Sequence, residues 1–289
     1  MHAKLARGQR GIIVLLTAFD RFCTPVQLER RKAASTRFER VALDLPFGRL
    51  VGMVAGPPDG APVLAVHGWN SQAEFFLPLV QACARQGLRV HAFDMPAHGQ
   101  TRDANAAKPT STLVEWVETL IALTRTLEVP AWHGVVAHSF GALAASFAIG
   151  QRPWSITPPL QTKSLAMIAG AAGMPTVIES YAAGNATPDA DVRNIVAGVE
   201  AATFASLPAL AIRAVARQLP QRILLVHDPA DEIAKLGDLQ CELVAHPASD
   251  ELLRPAPDMT ASCSSSKSDA RLRNSRRGRC QAADVTATI

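Results

Sequence analysis

Short apolar runs recur along the middle of the chain and alternate with longer stretches in which apolar residues follow helical spacing. Such runs are the length of a buried strand and too short for a helix. We expect buried strands over 62–66, 89–93, 134–138, 164–168 and 222–227, an antiparallel pair over 40–45 and 49–55, and helices over about 72–86, over 111–128 and after 139. This alternation predicts an α/β fold: a mainly parallel sheet with helices on both faces and its ligand site at the carboxyl ends of the strands.

The segment around Ser139 connects one of these strands to a helix through a sharp turn. Ala137 and Gly141 flank the serine at two residues' distance, and the small run 142–145 follows. Such a turn requires small flanking residues and exposes the serine oxygen at the top of the sheet, so the pattern predicts a nucleophile elbow. The neighbouring His138 would point away from the serine, and we interpret it as structural.

Two other strand ends provide residues that an acyl-transfer site needs. The strand over 62–66 leads directly into a turn that contains Trp69, and the strand over 222–227 leads to Asp231. A developing oxyanion needs two backbone N–H donors, one after the nucleophile and one from a loop after an earlier strand. We therefore expect the amides of Phe140 and Trp69 to form the oxyanion hole and Asp231 to orient the base, with Asp228 as the second candidate for the acid.

Four motifs together make the chain similar to the α/β-hydrolase superfamily, and to its serine esterase and lipase-like members, over about residues 40–234. They are His67-Gly68-Trp69, the Ser139 elbow, the strand leading to Asp231, and Ala92-Phe93-Asp94-Met95-Pro96-Ala97-His98-Gly99-Gln100-Thr101, which resembles the family's Asp-x-Pro-x-His-Gly-x-Ser loop. Ala137 replaces the first glycine of Gly-x-Ser-x-Gly, as related sequences tolerate. The resemblance implies a Ser-His-Asp acyl-enzyme mechanism on a carboxylic ester or thioester, without cofactor or metal. Asp94 would brace its loop.

The catalytic histidine is where the chain departs from this family. The family places that histidine after one further helix and strand, which puts it roughly 25 to 30 residues past the acid. The corresponding window, 256–261, contains no histidine, and the last histidine of the chain is His246. A shortened helix over 232–239 and a strand over 241–245 would bring His246 to the top of the sheet, so we name it as the in-frame candidate for the base.

A frameshift is the alternative explanation for the missing histidine. If Asp258 is encoded GAC, its last base followed by the first two bases of Met259 reads CAT, which encodes histidine, and the next triplet reads GAC, aspartate. The preceding triplet can encode glycine, so the shifted frame permits Gly-His-Asp, which resembles the family's histidine loop. This position falls inside the window estimated from element lengths.

Charge and composition separate a body from a tail. Residues 260–289 contain six Lys/Arg and two Asp/Glu, which accounts for the whole formal charge of +4. The serine-rich and arginine-rich tail cannot bury enough apolar surface to fold, so we expect it to be disordered and assign it no nucleic-acid partner. We divide the chain into an N-terminal helical segment (1–35), a hydrolase domain (36–259) and this tail (260–289).

The N-terminus and the cysteines bear on location. An apolar run over 11–19 follows basic residues but is too short to span a bilayer, so we expect a helix that packs on the body or on a partner. The five cysteines show no paired spacing, which argues against a disulfide framework and a structural zinc site and fits a reduced cytoplasm.

A variable lid is expected over about 171–210, where the sequence is Ala-rich and weakly helical. Four apolar residues there could line an acyl pocket or simply pack: Met174, Ile178, Tyr181 and Phe204. Two functions remain open. The chain is either a serine hydrolase that acts on a small acyl substrate, or a catalytically impaired hydrolase-fold protein, such as a binding protein or a frameshifted or decayed gene product, without the triad histidine.

Overall fold

A seven-stranded sheet organises the part of the chain that the structure describes. The computed structural model describes residues 16–26, 38–228, 230–231 and 233–248. The strands are β1 (Glu39–Leu45), β2 (Gly48–Ala55), β3 (Pro62–Val66), β4 (Arg89–Phe93), β5 (Gly134–His138), β6 (Ser164–Ile168) and β7 (Arg222–Val226). Their spatial order is β1-β2-β4-β3-β5-β6-β7.

The sheet is antiparallel at one side and parallel through the rest. β1 pairs with β2, and β2 with β4, in the antiparallel sense, whereas β4, β3, β5, β6 and β7 are mutually parallel. The register places His138 beside Ile168, and Ile168 beside Val226. The carboxyl ends of β5, β6 and β7 therefore meet at one edge of the sheet. The predicted fold class is confirmed.

Helices cover both faces of the sheet. Within the described residues they are α1 (Ala18–Phe22), α2 (Leu77–Arg85), α3 (Gly99–Ala104), α4 (Leu113–Thr126), α5 (Phe140–Ile149), α6 (Met174–Gly184), α7 (Asp189–Thr203) and α8 (Leu236–Leu243). A capping box starts α4, since Thr112 Oγ1 accepts from the Glu115 amide and the Glu115 carboxylate accepts from the Thr112 amide. Trp116, Leu120 and Leu123 then form its buried stripe.

The alternation of side chains along the central strands divides the core in two. On β3, Leu64 and Val66 face the cluster that contains Trp116 of α4, whereas Val63 and Ala65 face the cluster under α2. Every residue of α5 is buried, so this helix runs through the interior and its start is held firmly against the sheet.

The segment between β6 and β7 forms a cap that contains α6 and α7, at the position predicted for the lid. The short helix α1 packs against α7. α1 lies at the end of the apolar run over 11–19, of which residues 11–15 lie outside the described residues.

The region after β7 differs from its prediction. A helix over 232–239 and a strand over 241–245 are wrong: α8 runs over Leu236–Leu243 and turns follow it. The reason is helical spacing, because Leu239 and Leu243 are four residues apart and both are completely buried. The predicted helix over 72–86 is a 3₁₀ turn over Ala73–Phe76 followed by α2. The tail over 260–289 and the shifted-frame histidine near codon 258 lie outside the described residues and stay predictions.

Candidate active site

Ser139 occupies the one-residue turn between β5 and α5. Its backbone has φ 51° and ψ −122°, a region that residues with a side chain rarely adopt. The Ser139 amide donates to the Ile168 carbonyl at 2.9 Å, and the Ser139 carbonyl accepts from the amides of Ala142 and Ala171. These bonds over-determine the turn, so the surrounding structure holds the strained backbone in place.

Glycine at position 141 lets the elbow approach β3. A Cβ added there would lie 2.7 Å from the Val66 carbonyl oxygen and closer still to that of His67. Both obstructing atoms are backbone and cannot rotate away. The small residue that the sequence pattern required at this position is therefore explained by the close contact of the elbow with the end of β3.

The loop after β3 passes directly over Ser139. A Cβ added to Gly68 would lie 3.0 Å from Ser139 Cβ and 2.7 Å from His138 Nδ1. The rings of Trp69 and Phe140 meet edge to face with centroids 5.3 Å apart. The structure thus brings both expected oxyanion-hole residues to the serine. The Phe140 amide lies in the first turn of α5, where backbone N–H groups have no intrahelical acceptor.

Two buried histidines fasten this loop to the loop after β4. His67 Nε2 accepts from the Met95 amide at 2.8 Å, so its Nδ1–H donates to the Gly68 carbonyl at 2.7 Å. His98 Nε2 accepts from the Asn70 amide at 3.3 Å, and its Nδ1–H donates to the Pro96 carbonyl at 2.8 Å. Burial lowers the pKa of His67 to about 4 and that of His98 to about 3. Both rings are therefore neutral tautomers that fix the loop.

Asp94 braces the second loop. Its carboxylate accepts from the Ala73 amide at 2.6 Å and from the Gln100 amide at 2.7 Å. A Cβ on Gly99, which has φ 46°, would lie 2.8 Å from Asp94 Oδ1. The Asp-x-Pro-x-His-Gly segment is thus a brace for the loop that contains Trp69.

Asp231 lies past the end of β7, on the same edge of the sheet as Ser139. Its Oδ1 accepts from the amides of Ile233 and Ala234, at 2.9 and 3.0 Å. Burial lowers the pKa of His138, and the nearby charge of Asp231 partly opposes this shift. Asp228, the second candidate, accepts from the Ala230 amide through Oδ1 at 3.0 Å. Both carboxylates therefore take part in the turn that follows β7.

His246 does not reach the serine, which corrects its expected role. It is buried, its Nε2 lies 3.0 Å from the Pro220 carbonyl, and its Nδ1 accepts from the Ala248 amide at 3.1 Å. Pro220 precedes β7, whereas Ser139 follows β5, so the two lie at opposite ends of parallel strands. A strand of five residues separates these edges by roughly 16 Å. His246 is a structural residue below the sheet because α8 replaces the expected strand.

The other described histidines lie in three kinds of place. His91 is within β4 and His133 precedes β5, both away from the carboxyl edge. His138 is the last residue of β5 and His227 directly follows β7, both at the carboxyl edge, and His227 Nε2 contacts the Ala234 carbonyl oxygen. His138 Nδ1 is buried and makes no hydrogen bond within the described residues.

Ser139 opens into a cavity of about 400 Å³ beneath the cap. Its walls come from three directions: Trp69 and Phe140 beside the serine, Met174 and Tyr181 of the cap, and Phe22 of α1. Such a volume suits a small organic ligand. Four lid residues were expected either to line a pocket or to pack. Met174 and Tyr181 line the cavity, Ile178 packs in the core, and Phe204 is 83% exposed.

The contribution of α1 to this cavity was missed in the sequence. The helix expected over 11–19 lies mostly outside the described residues. The described helix α1 packs on α7, and its place in the cavity wall depends on contacts with residues about 170 positions away. A local signal was present: Thr17 and Asp20 form a capping box, which marks the helix start.

The geometry of strand, elbow, loop and cap agrees with a match of the sequence to a known family. Residues 61–222, more than half of the 289, match the alpha/beta hydrolase fold. The chain belongs to this family. The matched range of this chain contains the Trp69 loop, the Ser139 elbow and the cap, and it ends at the first residue of β7.

Individual relatives of the alpha/beta hydrolase family are distant. A serine hydrolase-like protein of Danio rerio is 28% identical over 127 residues, which are 42% of this chain and 37% of the relative. The match therefore spans little more than a third of that protein. The esterase Pf2001 of Pyrococcus furiosus superposes with a TM-score of 0.55 at 16% identity, over 76% of this chain and 82% of the esterase. A membrane phospholipase A, described as a bacterial virulence factor, gives 0.52 at 14% identity, over 72% and 76%. These two likenesses show the hydrolase fold alone.

The described residues contain neither a group of side chains that could hold a metal ion nor a helix that could span a membrane. Among residues 16–26, 38–228, 230–231 and 233–248, no group of three His, Cys, Asp or Glu side chains could hold a metal ion. No helix in the same part of the chain is long and apolar enough to cross a membrane.

Proposed function

We propose that the protein is a serine hydrolase that cleaves a carboxylic ester or thioester through an acyl-enzyme on Ser139. The observation that supports this most is the strained Ser139 turn, which is held beneath the Trp69 loop and opens to a cavity lined mainly by apolar residues. Strain of this kind, of about 1 to 3 kcal/mol, persists where the surroundings impose it, and functional sites are where it concentrates.

The chemistry follows from this placement. A histidine base takes the Ser139 hydroxyl proton while Oγ attacks the substrate carbonyl carbon, and the oxygen becomes an oxyanion. The Trp69 and Phe140 amides donate to that oxyanion. The leaving alcohol or thiol departs with the proton from the histidine, and water then releases the acid by the same steps. Asp231 orients the base and stabilises its protonated form.

The base itself is proposed to come from the shifted reading frame. The histidine encoded near codon 258 follows Asp231 by the spacing of one helix and one strand, whereas His67, His98 and His246 have both ring nitrogens committed to backbone groups. An independent DNA read across codons 230–289 tests this. A gained or lost base that restores Gly-His-Asp supports it, and confirmation of the present frame removes it.

A second candidate function is that of a catalytically impaired binding protein. The observation that favours it is that His67, His98 and His246 each have both ring nitrogens hydrogen-bonded to backbone groups, so none of these three can serve as the base. Without the base, turnover falls by roughly 10⁴- to 10⁶-fold, and only binding and the oxyanion hole remain. The cavity would then bind an apolar carbonyl compound without consuming it.

Hydrolysis of short-chain chromogenic esters separates the two functions. We expect turnover by the frame-corrected chain and its loss in Ser139→Ala. The control is Ser180→Ala, which removes another cavity hydroxyl and its bond to the Ile233 carbonyl but leaves the elbow intact. Ester turnover that is equal in the frame-corrected chain and in its Ser139→Ala variant would refute the serine mechanism.

A cytoplasmic location is part of the proposal. Cys23 and Cys83 are both buried and unpaired, as expected in a reducing compartment. Burial raises the pKa of Cys23 to about 12 and that of Cys83 to about 11, which keeps both as inert thiols.

A further inference from the structure

The N-terminal segment over 16–26 connects the cap to the active-site loop. At its α1 end, the Phe19 amide donates to Asn194 Oδ1 at 3.1 Å, and Arg21 pairs with Asp191 at 2.8 Å. Both partners belong to α7. Because α1 has only five residues, it depends on these contacts rather than on its own helical stability.

The face of α7 is shaped to receive this segment. A Cβ added to Gly198 would lie 2.5 Å from Phe19 Cδ2, so the absence of a side chain there admits the Phe19 ring. The Phe22 ring meets Tyr181 of α6 edge to face, with centroids 5.0 Å apart. Two aromatic rings of α1 are thus packed into the cap.

The other end of the segment is tied to the loop over Ser139. The Cys23 carbonyl accepts from the Ser111 amide at 2.8 Å, and the Val26 amide donates to Asn70 Oδ1 at 2.7 Å. Asn70 follows Trp69 directly and has φ 53°. The segment therefore spans the space between the cap and the Trp69 loop, beside the cavity into which Ser139 opens.

The inner side of this bridge is a wall of the cavity. Phe19, Phe22 and Cys23 line it together with Trp69 and Ser139. A methylene group is about as large as a water molecule, whose share of liquid volume is about 30 Å³, so a cavity of about 400 Å³ holds roughly 13 non-hydrogen atoms. That size corresponds to an ester with a medium-length acyl chain.

We propose that Phe19 and Phe22 of the N-terminal segment determine how long an acyl chain the cavity accepts, an inference that rests on the proposed hydrolase function. Both rings line the cavity from the segment that bridges the cap and the Trp69 loop. The preferred substrates are straight-chain esters of medium length, and the N-terminal segment is the specificity element.

The test is binding of a series of 2-alkanones with 6 to roughly 16 carbons, which carry the carbonyl and chain but no leaving group. Binding is followed by tryptophan fluorescence, since Trp69 lines the cavity. Each methylene that enters an apolar site improves affinity by about fourfold until the chain no longer fits. We expect Phe22→Ala to extend that limit by about three carbons and, because one further methylene then enters the apolar site, to bind the first ketone beyond the wild-type limit about fourfold more tightly.

Controls make the result specific. Phe22→Leu should extend the chain-length limit by less than Phe22→Ala does. It replaces the alanine variant in the test if the alanine variant does not fold. Phe47→Ala removes a half-exposed phenylalanine in the β1–β2 turn, outside the cavity, and should leave the limit unchanged. An unchanged limit in the Phe22 variants, or an equal extension in Phe47→Ala, would overturn the proposal.

The same series separates this proposal from the proposed function. In Ser139→Ala the chain-length profile should match the wild type, because the chain site does not depend on the hydroxyl. A frame-corrected chain that binds ketones with this profile but hydrolyses no ester refutes the serine mechanism, whereas the proposed specificity element stands. If the protein hydrolyses esters but its chain-length limit is the same in the Phe22 variants as in the wild type, the serine mechanism stands and the proposed specificity element is refuted.

Discussion

Replacement of Ser139 by glycine should make the protein more stable than replacement by alanine. At φ 51° and ψ −122° a side chain costs about 1 to 3 kcal/mol of backbone strain, which glycine does not experience. Glycine loses about 0.5 to 1 kcal/mol through the greater freedom of its unfolded chain. The difference between the mid-range values of these two effects predicts that the free energy of unfolding of Ser139→Gly exceeds that of Ser139→Ala by about 1 kcal/mol.

Thermal unfolding followed by circular dichroism measures this difference. For a domain of this size, 1 kcal/mol corresponds to about 2 to 4 °C, so the glycine variant should melt about 2 to 4 °C above the alanine variant. Both variants lack the nucleophile, so the comparison isolates the backbone. A higher melting temperature of the glycine variant would show that the conformation that positions Ser139 lowers the stability of the fold.

A second serine supplies a control with the opposite sign. Ser146 lies in the buried middle of α5, and its hydroxyl donates to the Ala142 carbonyl at 2.8 Å. There glycine should be less stable than alanine by about 1 kcal/mol, because the helix interior favours alanine. If alanine is also the better residue at position 139, the turn is not strained and the elbow interpretation of Ser139 fails.

Three further predictions concern the glycine of the elbow, the two buried loop histidines and His246. Gly141→Ala should lower stability by about 1 to 3 kcal/mol and reduce ester turnover, because its Cβ meets the Val66 and His67 carbonyls. The control is Gly184→Ala, whose Cβ meets nothing within 4 Å, and it should be tolerated in the same melting and turnover assays. Stability should fall as the pH drops below about 6.5, because His67 and His98 take up protons in the unfolded state but not in the native state, whose pKa values are about 4 and about 3. Each contributes up to about 1.4 kcal/mol per pH unit between 6.5 and its folded pKa, and a stability that stays flat from pH 7 to 5 in urea titrations would contradict this. His246→Ala should leave turnover unchanged while it lowers the melting temperature, since the ring is buried and bonded at the far edge of the sheet; a loss of turnover in a folded variant would return it to the site.

Local patterns were sufficient for the centre of the fold. The strands over 62–66, 89–93, 134–138 and 164–168 have the predicted bounds, because each is a short apolar run buried on both faces and needs no distant information. The Ser139 turn was also visible, since its small neighbours follow from the tightness of the turn itself.

Features set by distant contacts could not be predicted in this way. The run 241–245 resembled a strand, but burial of Leu239 and Leu243 on one helical face made α8 instead and moved His246 away from the site. The role of Phe19 depends on Gly198, which is far away in sequence and whose missing side chain has no meaning until α1 and α7 are packed together.

Reaction with a fluorophosphonate, followed by mass mapping of the modified peptide, tests the central claim most directly. We predict a single adduct on Ser139, formed rapidly in the frame-corrected chain and slowly or not at all in the chain without the restored histidine, and absent in Ser139→Ala. An adduct on another residue, or no adduct on a folded frame-corrected chain, would contradict Ser139 as the nucleophile and leave the cavity as a binding site.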